Sequence, residues 1–239
     1  MIIIILPVRN EEETILNTVK DLRSWANKNL INSKILFVND ESTDNTLYQL
    51  NKLKTNVVSI NHSIGKGWAL LCGYICARNI FKPEDDDLIV FLDGDGQIEH
   101  RDITSFLRLM DTYCADVVIG NKRHPYSITN YSTLRTFVSR TYNLIVRFLF
   151  GFDFRDTQAG LKVFRKYALE KAINKIKCKK FAFDLELIVA LRYNGFRIID
   201  APIKVKPQKN KGSVRLSSII STFVDTVSIW KKHQQGFYA

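Results

Sequence analysis

The chain has 239 residues, 46% of them hydrophobic, which suits one compact domain, or a domain with a small appendage, and a core that stands without disulfide staples. Its four cysteines, Cys72, Cys76, Cys114 and Cys178, form no C-x-x-C pair and no His sits at zinc spacing beside them, which argues against a disulfide scaffold or zinc module and for buried free thiols in a reducing compartment. A net charge of +11 asks for an anionic partner, whether nucleic acid, an acidic membrane surface or a phosphorylated substrate, against the plain alternative of a soluble basic surface.

The first residues, MIIIILPVRNEEE, have neither the basic start nor the cleavage site of a secretory leader, and no stretch reaches the ~18–20 apolar residues of a spanning helix. Ile2–Leu6 reads as a buried parallel strand closed by Pro7. Helical spacing follows from Glu11 to Lys28, with Ile15, Val19, Leu22 and Trp25 or Ala26 on one face. Ile35–Val38 is a second strand, running into the polar Asn39-Asp40-Glu41-Ser42 and a helix; Val57–Ile60 is a third. Lys66–Phe81 is predicted helical, Leu88–Leu92 a strand ending at Asp93, Ile103–Met110 a helix and Val117–Ile119 a strand ending at Gly120. Strand and helix alternate, which predicts a parallel sheet flanked by helices. Ligands of such sheets bind beyond the carboxyl ends of the strands, so Pro7-Val8-Arg9-Asn10-Glu11, Asp40, Asp93-Gly94-Asp95 and Asn121-Lys122-Arg123 are expected at one cleft.

The pattern changes after Arg123. Tyr131–Phe152 is long, aromatic and helical, Asp156–Lys162 is a polar loop, and Leu161–Phe164 reads as a strand. Phe183–Tyr193 is a helix, Phe196–Val205 a strand, and Leu216–Lys232 an amphipathic helix. The positive charge is concentrated here: Lys162–Lys180 holds eight basic residues against Glu170, and Lys204–Arg215 adds five with no acid.

Asp93-Gly94-Asp95 follows four apolar residues, Ile89 to Leu92. Two carboxylates at a strand end can face a hard divalent cation, Mg²⁺ sharing its shell with substrate phosphates, and Gln97 adds a neutral oxygen. The bland reading is an acidic turn, since Asp-Gly is common in turns; the buried strand before it and the other strand-end clusters favour a site. Asp40 suits a nucleoside acceptor, while Ser42 or Thr43 can cap the next helix. Gly65-Lys66-Gly67 can place Lys66 near phosphates, although it is not a P-loop.

Pro7-Val8-Arg9-Asn10-Glu11, Val38–Thr46, Gly65-Lys66-Gly67 and Asp93-Gly94-Asp95-Gly96-Gln97 together resemble glycosyltransferase family 2. Arg155–Lys162, Phe183-Asp184-Leu185-Glu186 and Gly212-Ser213-Val214-Arg215 resemble its dolichyl-phosphate and polyprenyl-phosphate mannosyl- and glucosyltransferases. The resemblance implies a GT-A (Rossmann-like) α/β fold, a mostly parallel sheet flanked by helices with C-terminal amphipathic helices, divided as 1–215 for the transferase domain and 216–239 for the last helix and tail. It implies inverting transfer of a hexose from UDP-glucose or GDP-mannose to a polyprenyl phosphate, with Mg²⁺ or Mn²⁺; the alternative is a saccharide hydroxyl acceptor.

On this resemblance Pro7, Arg9, Glu11, Asp40, Lys66, Asp93, Gly94, Arg123, Asp156 and Gln158 would bind the nucleotide sugar, with Lys122 competing for the place of Arg123. Asp93, Asp95 and Gln97 would surround the metal; Asp95, Asp184 and Arg215 would be catalytic. A lipid phosphate needs no general base because it is already anionic; it needs cations, and Arg135, Arg140, Lys162 and Arg215 are the candidate clamp. Asp184 would be a base for a hydroxyl acceptor, an orienter of Arg or Lys, or simply an acid at a helix N-terminus. Leu134, Phe137, Leu144, Ile145, Phe148, Leu149 and Phe152 recur at helical spacing with arginines between them, as do Ile219, Ile220, Phe223, Val224, Val227 and Trp230 before Lys231-Lys232, so each helix either lies on the cytoplasmic face of a membrane or packs into the core. A nucleic-acid partner is not expected, because the carboxylate pair would be left unexplained and no such motif is present.

Overall fold

The structure is a computed structural model describing every residue except 30, 130–132, 152–155, 157, 181, 207–215 and 239; the side chains of 133–140 and 216–220 also lie outside the description. The elements are β1 (Ile2–Val8), α1 (Ile15–Lys28), β2 (Ser33–Asp40), α2 (Thr46–Lys52), β3 (Asn56–Ile60), α3 (Lys66–Phe81), β4 (Leu88–Leu92), α4 (Arg101–Thr112), β5 (Val117–Asn121), α5 (Thr133–Phe150), β6 (Leu161–Arg165), α6 (Lys166–Ile173), α7 (Phe183–Tyr193), β7 (Ile198–Pro202) and α8 (Leu216–Gln234).

The strands form one sheet in the order β3-β2-β1-β4-β6-β5-β7. β1, with its run of β-branched residues buried on both faces, lies between β2 and β4 and is parallel to both. Its alternate side chains enter two cores. Ile3 and Ile5 pack with α3 and α7, whereas Ile4, Leu6 and Val8 pack with the buried faces of α1 and α4. Pro7 does not close the strand: β1 stays in register with β2 through Val8, opposite Asn39, while its pairing with β4 stops at Ile5 opposite Phe91. A residue without an N–H is tolerated where one side of the ladder has ended.

The sheet is mostly parallel, as expected, and the exception is β6, which is antiparallel to both β4 and β5. This brings the start of β6, rather than its end, to the edge where β1, β2, β4 and β5 finish. The loop before Leu161 therefore meets Asp93, whose N–H donates to the Gly160 carbonyl at 2.8 Å. α6, not anticipated in the basic stretch, buries Ala168, Leu169, Ala172 and Ile173 while its lysines face outward or sideways.

The two amphipathic helices split their apolar residues between core and surface. α5 buries Asn143, Val146 and Phe150 and leaves Leu144 68% and Phe148 88% exposed. α8 buries Thr226 and Ile229 and leaves Phe223 and Val224 exposed. The two helices are joined by the Tyr142 and Thr226 hydroxyls at 3.0 Å. Among the described residues no helix is long and apolar enough to cross a membrane. The cysteines are free, but Cys114 is exposed and the other three are only half-buried, so the expected burial is not met.

Candidate active site

The loops after β1 and β2 are laced together by side chains reaching across to backbone. Asn10 Oδ1 accepts the Thr43 N–H at 2.8 Å, Glu12 Oε2 accepts that of Asn45 at 3.0 Å, and Thr46 Oγ1 accepts that of Glu11 at 2.8 Å. Asn10 and Glu41 both take positive φ, 54° and 56°, so the chain turns sharply at each strand end. The buried Glu11 carboxylate accepts from the Thr14 hydroxyl. Beside this lacing, the Ser63 hydroxyl accepts from Arg9 at 2.7 Å and donates to Asp40 Oδ2 at 2.9 Å. The other oxygen, Asp40 Oδ1, is buried with no hydrogen-bond partner among the described residues. A buried acceptor left unpaired costs about 1–3 kcal/mol, which a donor group on a ligand would recover. Ser63 was not singled out in the sequence. Its position just past the end of β3, on the same sheet edge, was the available signal.

Asp93 follows β4, with β1 between it and the end of β2. Lys66, in the first turn of α3, donates to Asp93 Oδ1 at 2.6 Å and stands 3.8 Å from Asp184 Oδ2. Lys162, on β6, is 2% exposed and donates to Asp184 Oδ1 at 2.8 Å and to the Ala159 carbonyl at 2.6 Å. Two lysines thus face two carboxylates. Burial pushes the Asp93 carboxyl up, but Lys66, Lys162 and Lys122 more than offset this and hold it below the usual carboxylate value. Burial would lower the Lys66 ammonium, yet Asp93 and Asp184 raise it well above the usual lysine value. For Lys162 burial wins, and its ammonium falls below the usual value despite Asp184. Breaking a buried pair of this kind costs about 3–5 kcal/mol by leaving a charge stranded. Lys162, expected as an acceptor clamp, is therefore turned inward as the partner of Asp184.

Gly94 follows Asp93 against β1, where an added Cβ would lie 2.5 Å from the Pro7 carbonyl oxygen, so only glycine lets the two loops meet. Asp95 accepts from Gln97 twice, from the backbone N–H at 3.1 Å and from Nε2 at 2.6 Å. Gln97 thus steadies Asp95 through its amide nitrogen. Among the described residues no three His, Cys, Asp or Glu side chains stand together as a metal cage. Two carboxylates from one turn nevertheless fit a hard divalent cation that takes its remaining oxygens from a substrate diphosphate, as Mg²⁺ commonly does.

On the far side of Asp93, the buried Asp156 accepts the N–H groups of Lys122 at 3.0 Å and Gln158 at 3.1 Å, and Lys122 Nζ approaches the Gln158 carbonyl at 3.4 Å. Of the two basic neighbours, the Lys122 charge acts on Asp93, while the Arg123 N–H closes a turn on Asn121 Oδ1 at 2.9 Å. Arg215 lies outside the described residues, as do the side chains of Arg135 and Arg140.

The sheet order, the one antiparallel strand and the Asp-Gly-Asp turn beyond β4 define a GT-A nucleotide-sugar transferase fold. The sequence profile of glycosyl transferase family 2 matches residues 3–173, and the chain belongs to that family. It is 27% identical over 222 residues to the UDP-N-acetylglucosamine–dolichyl-phosphate N-acetylglucosaminyltransferase of Methanococcus voltae, covering 85% of each chain. It is 28% identical over 177 residues to the polyprenol monophosphomannose synthase of Mycolicibacterium smegmatis, covering 71% of this chain and 65% of that one. In fold it is similar to glucosyl-3-phosphoglycerate synthase of Mycobacterium tuberculosis in complex with Mn²⁺, UDP-glucose and phosphoglyceric acid, with a TM-score of 0.70 and 19% identity over 97% of this chain and 80% of that one.

Proposed function

We propose that the protein transfers a hexose from a nucleotide sugar, UDP-glucose or GDP-mannose, to a polyprenyl phosphate at the cytoplasmic face of a membrane. The observation that carries this reading is the Lys66–Asp93–Asp184–Lys162 cluster on the same sheet edge as the unpaired Asp40 oxygen. Asp40, with Arg9 and Ser63, holds the nucleoside, and Glu11 backs the same loop. Lys66 lies against the diphosphate. Asp93 and Asp95 hold the divalent cation, which when bound neutralises charge on the departing nucleoside diphosphate. Lys122, Asp156 and Gln158 border the sugar.

Asp184 favours the phosphate acceptor over the hydroxyl. Its two oxygens are directed at two lysines, so it orients cations rather than waiting for a proton. A lipid phosphate oxygen needs no proton removed and attacks the anomeric carbon in line, inverting it, while the leaving group departs toward Lys66. The acceptor comes from a membrane against which the exposed apolar residues of α5, Leu144 and Phe148, and of α8, Phe223 and Val224, would lie. The occupant of that face is taken to be an anionic lipid surface, because exposed Lys177, Lys179, Lys180 and Lys231 stand in the adjoining loop and helix, and the Lys180 charge reaches Asp225 on α8. The named activities of the M. voltae and M. smegmatis relatives support the same acceptor class.

The test is turnover of UDP-glucose, UDP-N-acetylglucosamine and GDP-mannose with and without a short polyprenyl phosphate. Transfer to the lipid is expected; transfer only to a sugar hydroxyl would refute the lipid reading. In a thermal-shift panel of UDP and GDP with Mn²⁺ or Mg²⁺, the metal-dependent stabilisation seen with wild type should vanish in Asp95→Asn. If the variant is stabilised as wild type is, the metal does not sit on Asp95.

A further inference from the structure

Glu186 lies two residues beyond Asp184 on α7, is 0% exposed, and takes part in no step described above. Four hydrogen bonds from three parts of the chain converge on its carboxylate. Oε2 accepts the N–H groups of Lys177 at 2.8 Å and Cys178 at 2.6 Å, and Oε1 accepts from Lys232 Nζ at 3.0 Å and from the Tyr238 hydroxyl at 2.8 Å. Burial pushes the carboxyl up, but the Cys178 N–H, Tyr238 and Lys232 outweigh it and keep the group ionised.

The loop held on Oε2 continues into the seat of α3. The Lys179 carbonyl accepts the Trp68 N–H at 2.9 Å, and the Lys179 ammonium lies 4.3 Å from the Trp68 ring centre. Gly67 lies directly on Phe183, where a Cβ would stand 2.3 Å from the Phe183 Cβ. Lys66 therefore projects from a helix end that rests on the loop 177–180 and the start of α7, and both of these are fastened by Glu186.

We propose that Lys232 and Tyr238, acting through Glu186, are positioning residues that fix Lys66 for the donor diphosphate, so that the C-terminal segment is a working part of the active site. Both side chains reach the site only through Glu186. Each secures the carboxylate that holds the seat of α3. The proposal rests on the placement of Lys66 at the donor phosphates given above.

A double-mutant cycle separates positioning from general stability. The affinities of UDP and of GDP, each with Mn²⁺, are measured by titration calorimetry for wild type, Lys66→Met, Tyr238→Phe, Lys232→Met and the pairs with Lys66→Met, with melting temperatures alongside. Lys66→Met should weaken the bound nucleotide about tenfold, and Tyr238→Phe and Lys232→Met about three- to tenfold, in proteins still folded at the assay temperature. In the Lys66→Met background the second substitution should add nothing. Lys232 is partly exposed, so its variant carries the cycle if Tyr238→Phe does not fold. Additive losses, or normal affinity in both Tyr238→Phe and Lys232→Met, overturn the positioning role alone. Normal affinity in Lys66→Met overturns the donor reading of Lys66 and the positioning role with it.

Discussion

Asp40 carries a local cost to stability that the proposed nucleotide would relieve. Ser63 satisfies one of its oxygens and leaves the other buried and unpaired, a state costing about 1–3 kcal/mol that a ligand donor would relieve. Asp40→Ala should therefore weaken nucleotide binding by roughly ten- to a hundredfold, while the melting temperature without ligand holds or rises. A lower melting temperature with unchanged nucleotide affinity would make Asp40 a structural residue instead. Lys162 carries the opposite lesson. It was a candidate clamp for the acceptor phosphate, and it lies buried against Asp184 as that carboxylate's counter-charge. Both roles follow from what faces the side chain, which no local motif records.

At the scale of elements, the contact between α3 and α7 decides where Lys66 can point. Gly67 sits in the first turn of α3, and an alanine there would place Cβ within 2.3 Å of Phe183 Cβ. Alanine is the better helix former by about 1 kcal/mol, so with a loose contact Gly67→Ala would stabilise the protein. With the contact as close as it is, overpacking near the upper end of about 1–3 kcal/mol should prevail, and the net loss should lower the melting temperature by up to roughly 8 °C. A rise measured by calorimetry would show that the two helices can separate. The helices themselves were largely legible: Lys66–Phe81 and Phe183–Tyr193 are found with the ends expected, because apolar runs and polar breaks mark them plainly. The buried faces of α5 and α8 were not legible. Each helix divides its apolar residues between two sides: Val146 and Phe150, or Ile229, are buried with the polar Asn143 or Thr226, while Leu144 and Phe148, or Phe223 and Val224, are exposed. Hydrophobic periodicity reports which face avoids water, not whether protein or lipid covers it.

For the whole molecule the charge of +11 and these exposed apolar faces make a joint prediction. Vesicles containing phosphatidylglycerol should bind the protein more tightly than neutral phosphatidylcholine vesicles, and added salt should weaken the attachment. Leu144→Ser with Phe148→Ser should reduce flotation with the vesicles by at least about tenfold while leaving the melting temperature within a few degrees, since each apolar side chain lost from the lipid removes roughly 1.5–3 kcal/mol. Equal binding of the double variant and wild type would show that lipid does not cover α5. The C-terminal segment belongs to the same body: Ile229 and Tyr238 lie in the core shared with α3 and α7, and Lys232 reaches Glu186.

The Asp93-Gly94-Asp95 turn, the strand–helix alternation, the strand-end clusters and the family were written in local patterns, because strand burial, turn chemistry and helical spacing are short-range properties. The insertion of β6 antiparallel between β4 and β5, the pairing of Lys66 with Asp93 and of Lys162 with Asp184, and the bridge from Arg9 through Ser63 to Asp40 belong to the tertiary structure. Each joins segments from 22 to 54 residues apart, or reorders strands distant in the chain, and so depends on how the chain packs rather than on any window of its sequence.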